Sequence, residues 1–202
     1  MGRPSMFESL RERCEPAVRE RLQPLVDRLA ARQVTPNQVT VASLGVCLLA
    51  ALCIAGGGLR LGALVLLLAA VGDVIDGMLA RDTGQATPFG AFFDSTLDRI
   101  GEGAILAALA YQFAVTGRPT VVALTVLALL GSLLVSYTRA RAEALGLECK
   151  VGLMSRAERV ALLVVGLLIG LPGVAVLVLA ALSFYTVGER VLHVRRTLAD
   201  SA

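Results

Sequence analysis

Long apolar runs recur along this chain, separated by short stretches rich in glycine, proline or charge. A run of about 20 apolar residues can cross a membrane as a helix. Such runs fall at residues 38–55, 59–75, 89–115, 120–137, 160–171 with its flanks, and 174–192. The pattern predicts an all-α integral membrane protein with six transmembrane helices, because a helix satisfies its own backbone polar groups in lipid. The fifth run is the shortest and reaches full length only when extended back through Met154 to Arg159. Three turns, Gly56-Gly57-Gly58, Gly117-Arg118-Pro119 and Gly170-Leu171-Pro172-Gly173, separate the runs on one side of the membrane. Local signals mark two helix starts: Thr35 as N-cap before Pro36, and Ser155 with Glu158 three residues on as a capping box.

Ahead of the first run, residues 5–33 alternate Arg and Glu around Val18, Leu22, Leu25 and Leu29. Spacings of four, three and four describe one apolar stripe of a helix. Its Arg-rich polar face next to a membrane span places it in the interface plane at the cytosolic surface, bent or broken near Pro16 and Pro24. A solvated helix or disordered arm is the competing reading. The chain thus divides into an interfacial amphipathic segment at 1–34, a helical membrane domain at 35–197 and a tail at 198–202.

Composition agrees with the pattern. Apolar residues make up 56% of the 202 residues and mean hydropathy is +0.74, whereas soluble domains carry roughly 45–50% apolar residues. Net charge is only +3, but its distribution sets the topology. With the amino terminus in the cytosol, the basic residues fall as seven before the first span, two between Asp73 and Arg99, five from Arg139 to Arg159 and three after Glu189. Only Arg60 and Arg118 then lie outside, and every acidic residue lies on the cytosolic half. The positive-inside rule therefore predicts a multi-pass protein of the plasma or inner membrane with both termini cytosolic. Basic charge used in this way reports topology, and nucleic-acid binding is a poor reading of it. Cys14, Cys47, Cys53 and Cys149 lack metal-ligand spacing, so they read as small apolar fillers or thiols. The charged first 35 residues contain no apolar core of a cleavable signal peptide.

The chemistry lies between the second and third runs. Asp73, Asp76, Asp94 and Asp98 flank a short polar turn, yet long apolar segments enclose them. An ionisable side chain at membrane depth is costly and marks a functional site by default. Four carboxylates need a counter-charge, and oxygen donors favour hard divalent cations such as Mg²⁺, Mn²⁺ or Ca²⁺. Asp73 and Asp76 are three apart on one helix, and Gly90, Asp94 and Asp98 repeat every four on the next, so each helix presents two carboxylates on one face. Gly77 leaves room for a ligand at the backbone, and Arg81 can grip a phosphate bidentately. Glu102, one turn beyond Asp98, either orients a metal ligand or pairs with Arg99 or with a basic group of another helix.

Written out, the stretch is D-x-x-D-G-x-x-A-R, eight residues, then G-x-x-x-D-x-x-x-D, running from Asp73 to Asp98. This resembles the signature of the CDP-alcohol phosphotransferase (CDP-alcohol phosphatidyltransferase) family at every fixed position, and the six-run layout is similar to that family from Pro36 to about Arg196. The resemblance implies an enzyme of phospholipid biosynthesis in which a CDP-lipid reacts with an alcohol, giving a lipid phosphodiester and CMP. It also implies two divalent ions, Mg²⁺ or Mn²⁺, at Asp73, Asp76, Asp94 and Asp98, with Asp98 as general base. The CDP moiety would then be held by Pro36, Asn37, Asp73, Gly77, Ala80, Arg81 and Gly90.

Arg139, Arg156 and Arg195 are expected at the cytosolic mouth, where three arginines beside a metal site suit an anionic acceptor. The stretches SYTRARAEALG and GLMSRAER resemble those of the family's phosphatidylinositol phosphate synthases and their archaeal counterparts. That resemblance implies inositol 1-phosphate as acceptor, with glycerol 3-phosphate as runner-up. Alternatively the arginines serve only the positive-inside rule and anionic headgroups. A membrane ion or metal transporter is the remote alternative, but its carboxylates should lie near the bilayer midplane. Small-residue-rich spans suit packing in a homodimer.

Overall fold

The computed structural model describes residues 6–149 and 151–199. Among them are seven helices and no strand: α1 Met6–Ala31, α2 Pro36–Ala55, α3 Leu59–Asp82, α4 Pro88–Val115, α5 Pro119–Ala144, α6 Arg156–Leu168 and α7 Pro172–Ala199. Residues 1–5 of the expected amphipathic segment, Lys150, and residues 200–202 of the expected tail lie outside the described residues.

Four helices, α2, α3, α5 and α7, are long and apolar enough to cross a membrane. Large apolar side chains on them face outward, with Leu52 at 70% and Leu68 at 61% exposed. Faces of this kind suit lipid tails and would be a liability in water. The chain is a multi-pass membrane protein. Of the two other expected spans, α4 has 28 residues but carries Asp94, Asp98, Arg99 and Glu102. Helix α6 has 13 residues, so it is only about 20 Å long against a hydrocarbon core of about 30 Å.

The residues group into two compact units, one comprising the chain up to Gly45 with Leu68–Asp98, the other Val46–Leu67 with the chain from Arg99 onward. In the first unit, α1 packs on the second half of α3. Val26 is fully buried among Ile75, Met78 and Leu79, with Leu22, Leu29 and Ala30 beside it. The apolar stripe of α1 is therefore Leu22, Val26 and Leu29; Val18 and Leu25, expected on it, are each 42% exposed. Asp82 at the end of α3 accepts from Arg19 at 3.0 Å and Gln23 at 2.9 Å. Of the bend or break expected near Pro16 and Pro24, no break occurs, since α1 runs through both. A proline inside a helix costs about 3 kcal/mol through one lost hydrogen bond and a clash, and burial of Val26 on α3, two residues beyond Pro24, works against that cost.

Thr35 caps α2 as expected, and the cap is reciprocal: the Gln38 N–H donates to Thr35 Oγ1 at 3.4 Å while the Thr35 N–H donates to Gln38 Oε1 at 2.9 Å. Further along, α2 and α3 approach so closely that a Cβ on Gly72 would overlap the Ser43 hydroxyl. Gly72→Val is accordingly expected to destabilise the detergent-solubilised protein by about 1–3 kcal/mol, the usual cost of overpacking. A thermal unfolding midpoint equal to wild type would refute that contact.

The second unit is built on Ile54, Leu106, Leu109, Leu163, Leu167, Val176 and Leu179, each 2% exposed or less. Small residues bring its helices together, Gly62 against Ile54, Gly131 against Ser183 and Gly166 against Ala175. Two arginines are buried there, Arg159 at 2% and Arg190 at 5% exposed. The sequence pattern places Arg190 in a basic tail; instead its Nε donates to the Val151 carbonyl at 3.0 Å and its Nη1 to the Val135 carbonyl, tying the connector before α6 to α5. Ser155 occupies the N-cap of α6, but its hydroxyl meets the Glu158 carboxylate and makes no capping bond to the backbone. His193 contacts the Glu148 carbonyl at 3.1 Å. Cys47, Cys53 and Cys149 are thiols; the Cys14 side chain lies outside those described.

Candidate active site

The central motif lies in the first unit, where the start of α2, the end of α3, the 83–87 turn and the start of α4 enclose a cavity of about 190 Å³. Each wall follows from a local rule. Gly84 takes φ +66°, a conformation that L side chains rarely adopt, and lets the Gln85 N–H return to the Ala80 carbonyl at 3.0 Å. That closure ends α3 and folds the turn back, as in a helix C-cap. Thr87 then caps α4 by accepting from the Gly90 N–H at 3.0 Å, with Pro88 as first helical residue.

Asp76 and Asp94 both line the cavity, with Pro36, Asn37, Gly77, Ala80, Arg81 and Gly90. Asp76 is 6% exposed and its Oδ2 is buried with no hydrogen-bond partner. The Thr40 hydroxyl lies between the Pro36 carbonyl, at 3.1 Å, and the Asp76 carboxylate. The charges of Asp94 and Asp73 also act on Asp76. A buried anionic oxygen without a donor, near two more carboxylates, is costly unless a cation joins it. This donor set fits a hard divalent ion.

The two glycines matter by what they omit. A Cβ on Gly90 would lie 3.2 Å from Thr87 Oγ1 and 3.5 Å from Asn37 Oδ1, and one on Gly77 would lie 3.5 Å from Arg81 Nη1. Any larger side chain at either position would enter the cavity or displace those polar groups.

Six of the seven residues expected to hold CDP therefore share one cavity; the seventh, Asp73, does not line it. Asp98 is also outside the lining, and among the described residues no three carboxylate, imidazole or thiol groups converge as a ready-made metal cluster. Thr40, Gln85 and Thr87 line the cavity as well, though the motif does not include them. Thr87 had a signal in the sequence, since Thr87-Pro88 repeats the Thr35-Pro36 pattern that opens α2.

The arginines expected to meet the acceptor lie in the second unit, on three helices. Arg139 on α5 is exposed and pairs with Glu143 at 2.8 Å, one turn on. Arg156 opens α6 and is half-buried, and Arg195 on α7 is exposed. For Glu102, the partner is a basic group of another helix: Arg159 of α6, at 2.6 Å.

The long apolar helices and the carboxylate-bearing, glycine-walled cavity are those of a membrane-embedded enzyme. Comparison with known proteins identifies which. The family model for CDP-alcohol phosphatidyltransferases matches residues 33–188. The archaetidylinositol phosphate synthase of Methanothermobacter thermautotrophicus is 36% identical over 201 residues, covering 96% of this chain and 99% of its own. The phosphatidylinositol phosphate synthase of Cutibacterium acnes is also 36% identical, over 87% of this chain and 92% of its own. Among solved structures, Mycobacterium tuberculosis phosphatidylinositol phosphate synthase with CDP-DAG bound superposes with a TM-score of 0.80 at 32% identity, covering 85% of this chain and 92% of that one. The same enzyme in complex with manganese and citrate gives 0.79, with 85% and 87% covered. The chain belongs to the CDP-alcohol phosphatidyltransferase family and is a transferase of substituted phosphate groups in phospholipid biosynthesis.

Proposed function

We propose that this protein transfers a phosphatidyl or related lipid phosphate group from a CDP-lipid such as CDP-diacylglycerol to a hydroxyl of inositol 1-phosphate, releasing CMP. The observation that carries the reading is the buried, donor-less Asp76 oxygen on the wall of a cavity that Gly77 and Gly90 keep open and Arg81 borders. The lipid tails would then lie along the exposed apolar faces of the spans.

In the proposed step, the acceptor hydroxyl oxygen bonds to the lipid-side phosphorus while the bond from that phosphorus to the pyrophosphate bridging oxygen breaks, and CMP leaves. Asp98 takes the hydroxyl proton. Pro36, Asn37, Gly77, Ala80, Arg81, Gly90 and Asp73 hold the CDP moiety. Divalent ions, Mg²⁺ or Mn²⁺, held by Asp73, Asp76, Asp94 and Asp98, would neutralise the pyrophosphate and acidify the attacking hydroxyl. Catalysis of this kind rests chiefly on positioning and charge stabilisation.

The similarity to an archaetidylinositol phosphate synthase and a phosphatidylinositol phosphate synthase supports inositol phosphate as acceptor. Arg139, Arg156 and Arg195 are proposed to bind its phosphate, as guanidinium forks match phosphate oxygens. We place α4 and α6, with its flanks, in the membrane with the other four helices, the motif and both termini on the cytosolic side, and residues 35–197 as the catalytic domain.

An acceptor panel against CDP-diacylglycerol, read as CMP release, tests the acceptor: inositol 1-phosphate should react, and glycerol 3-phosphate reacting in its place would transfer the assignment. Arg156→Ala and Arg195→Ala are expected to raise the KM for the acceptor by about tenfold or more, the worth of one charge-assisted hydrogen bond. The KM for CDP-diacylglycerol should stay near wild type, and equal effects on both substrates would remove these arginines from the acceptor pocket.

A further inference from the structure

The second unit contains a buried ion pair that the proposed chemistry does not use. The Arg159 and Glu102 side chains are 3% and 7% exposed. Every nitrogen of the guanidinium is engaged: Nε donates to Glu102 Oε1 at 2.6 Å, Nη2 to Glu102 Oε2 at 2.9 Å and Nη1 to the Met154 carbonyl at 3.1 Å. Ser132 donates to Glu102 Oε1 at 3.0 Å. One network thus joins α4, α5, the connector before α6 and the first turn of α6.

Stability alone does not account for such a pair. Removing two charges from water costs about as much as their attraction returns, and a well-packed apolar pair of similar size is often as stable. Apolar packing is also the easiest solution in this unit, whose core is leucine, isoleucine and valine. What a satisfied polar network adds is a single geometry. The planar fork between Arg159 and Glu102 admits one rotation of α6 against α4. The other buried residues of α6, Leu163, Val164, Gly166 and Leu167, lie beyond its first turn, so the fork is the buried contact that fixes that turn. The Nη1 bond to Met154 closes the segment 154–159 on itself, and Arg156 lies inside that closed segment.

We propose that the Glu102–Arg159 pair is a positioning device for acceptor recognition, holding the first turn of α6 so that Arg156 presents its guanidinium in one direction. The proposal rests on Arg156 meeting the acceptor phosphate. Neither member of the pair is among the residues proposed to hold substrate or metal. Loss of the pair should therefore appear as weaker acceptor use, with binding of the CDP-lipid little changed.

The test compares wild type, Glu102→Gln and the double variant Glu102→Met with Arg159→Met, measuring unfolding midpoints and the KM for each substrate. The double variant keeps the packing volume and leaves no unpaired buried charge, so it should fold with a midpoint close to wild type. Its KM for inositol 1-phosphate should rise by about tenfold or more, because misplacement by about 1 Å can cost up to about a hundredfold. Its KM for CDP-diacylglycerol should change less than about twofold. Glu102→Gln, which keeps the shape and the Ser132 contact, should show the same split more weakly and serves alone if the double variant does not fold. A folded variant with a wild-type acceptor KM, or with both KM values raised equally, would overturn the positioning role while leaving the reaction intact. Wild type that releases no CMP with either inositol 1-phosphate or glycerol 3-phosphate refutes the reaction itself, and the positioning role with it.

Discussion

Asp98→Asn is expected to lower kcat for CMP release by about 10²- to 10⁴-fold, the usual contribution of a positioned general base. The carboxamide has the shape of the carboxylate but cannot accept the acceptor's proton. Asp98 is half-buried about three turns into α4, and asparagine has the volume of aspartate, so the substitution opens no void and the variant should fold. The KM for the CDP-lipid should rise only modestly, because the cavity lining does not include Asp98. Activity within a few-fold of wild type would mean that another group removes the proton.

Chelation is expected to be as severe. Exhaustive treatment with EDTA should stop CMP release, and Mn²⁺ or Mg²⁺ should restore it. Asp76→Asn should weaken the metal dependence most. Its buried Oδ2 has no protein donor, whereas an amide nitrogen there would turn an acceptor into a donor facing a cation. We expect more than about a hundredfold loss in apparent metal affinity, beyond the 10- to 100-fold typical of residues one layer out from a metal. Full activity after chelation would remove the metal from the mechanism.

The helices and the motif were legible because both are local. Apolar runs record the spans, and spacings of three and four record which residues share a helix face, so Asp76, Gly77, Arg81, Gly90 and Asp94 could be gathered from sequence into what proved to be one cavity. Contacts between distant segments left no such trace. Val26 differs from Leu25 only in which way α1 turns toward α3, and its burial depends on Ile75, Met78 and Leu79 some fifty residues away. Glu102 could be paired with any of several arginines by charge alone; the choice of Arg159, fifty-seven residues on, is made by the packing of α4 against α6. Arg190 looked like one more basic residue at a helix end until its carbonyl partners, Val135 and Val151, came into place. The Thr87 cap was the one omission that a local rule would have caught.

The most direct measurement is made on the purified full chain in liposomes containing CDP-diacylglycerol, with Mn²⁺ and inositol 1-phosphate outside. The proposed reaction predicts CMP and a phosphatidylinositol phosphate formed in equal amounts, with both lost on omitting the acceptor or the metal. Uptake of metal into the liposomes with no CMP formed would contradict it.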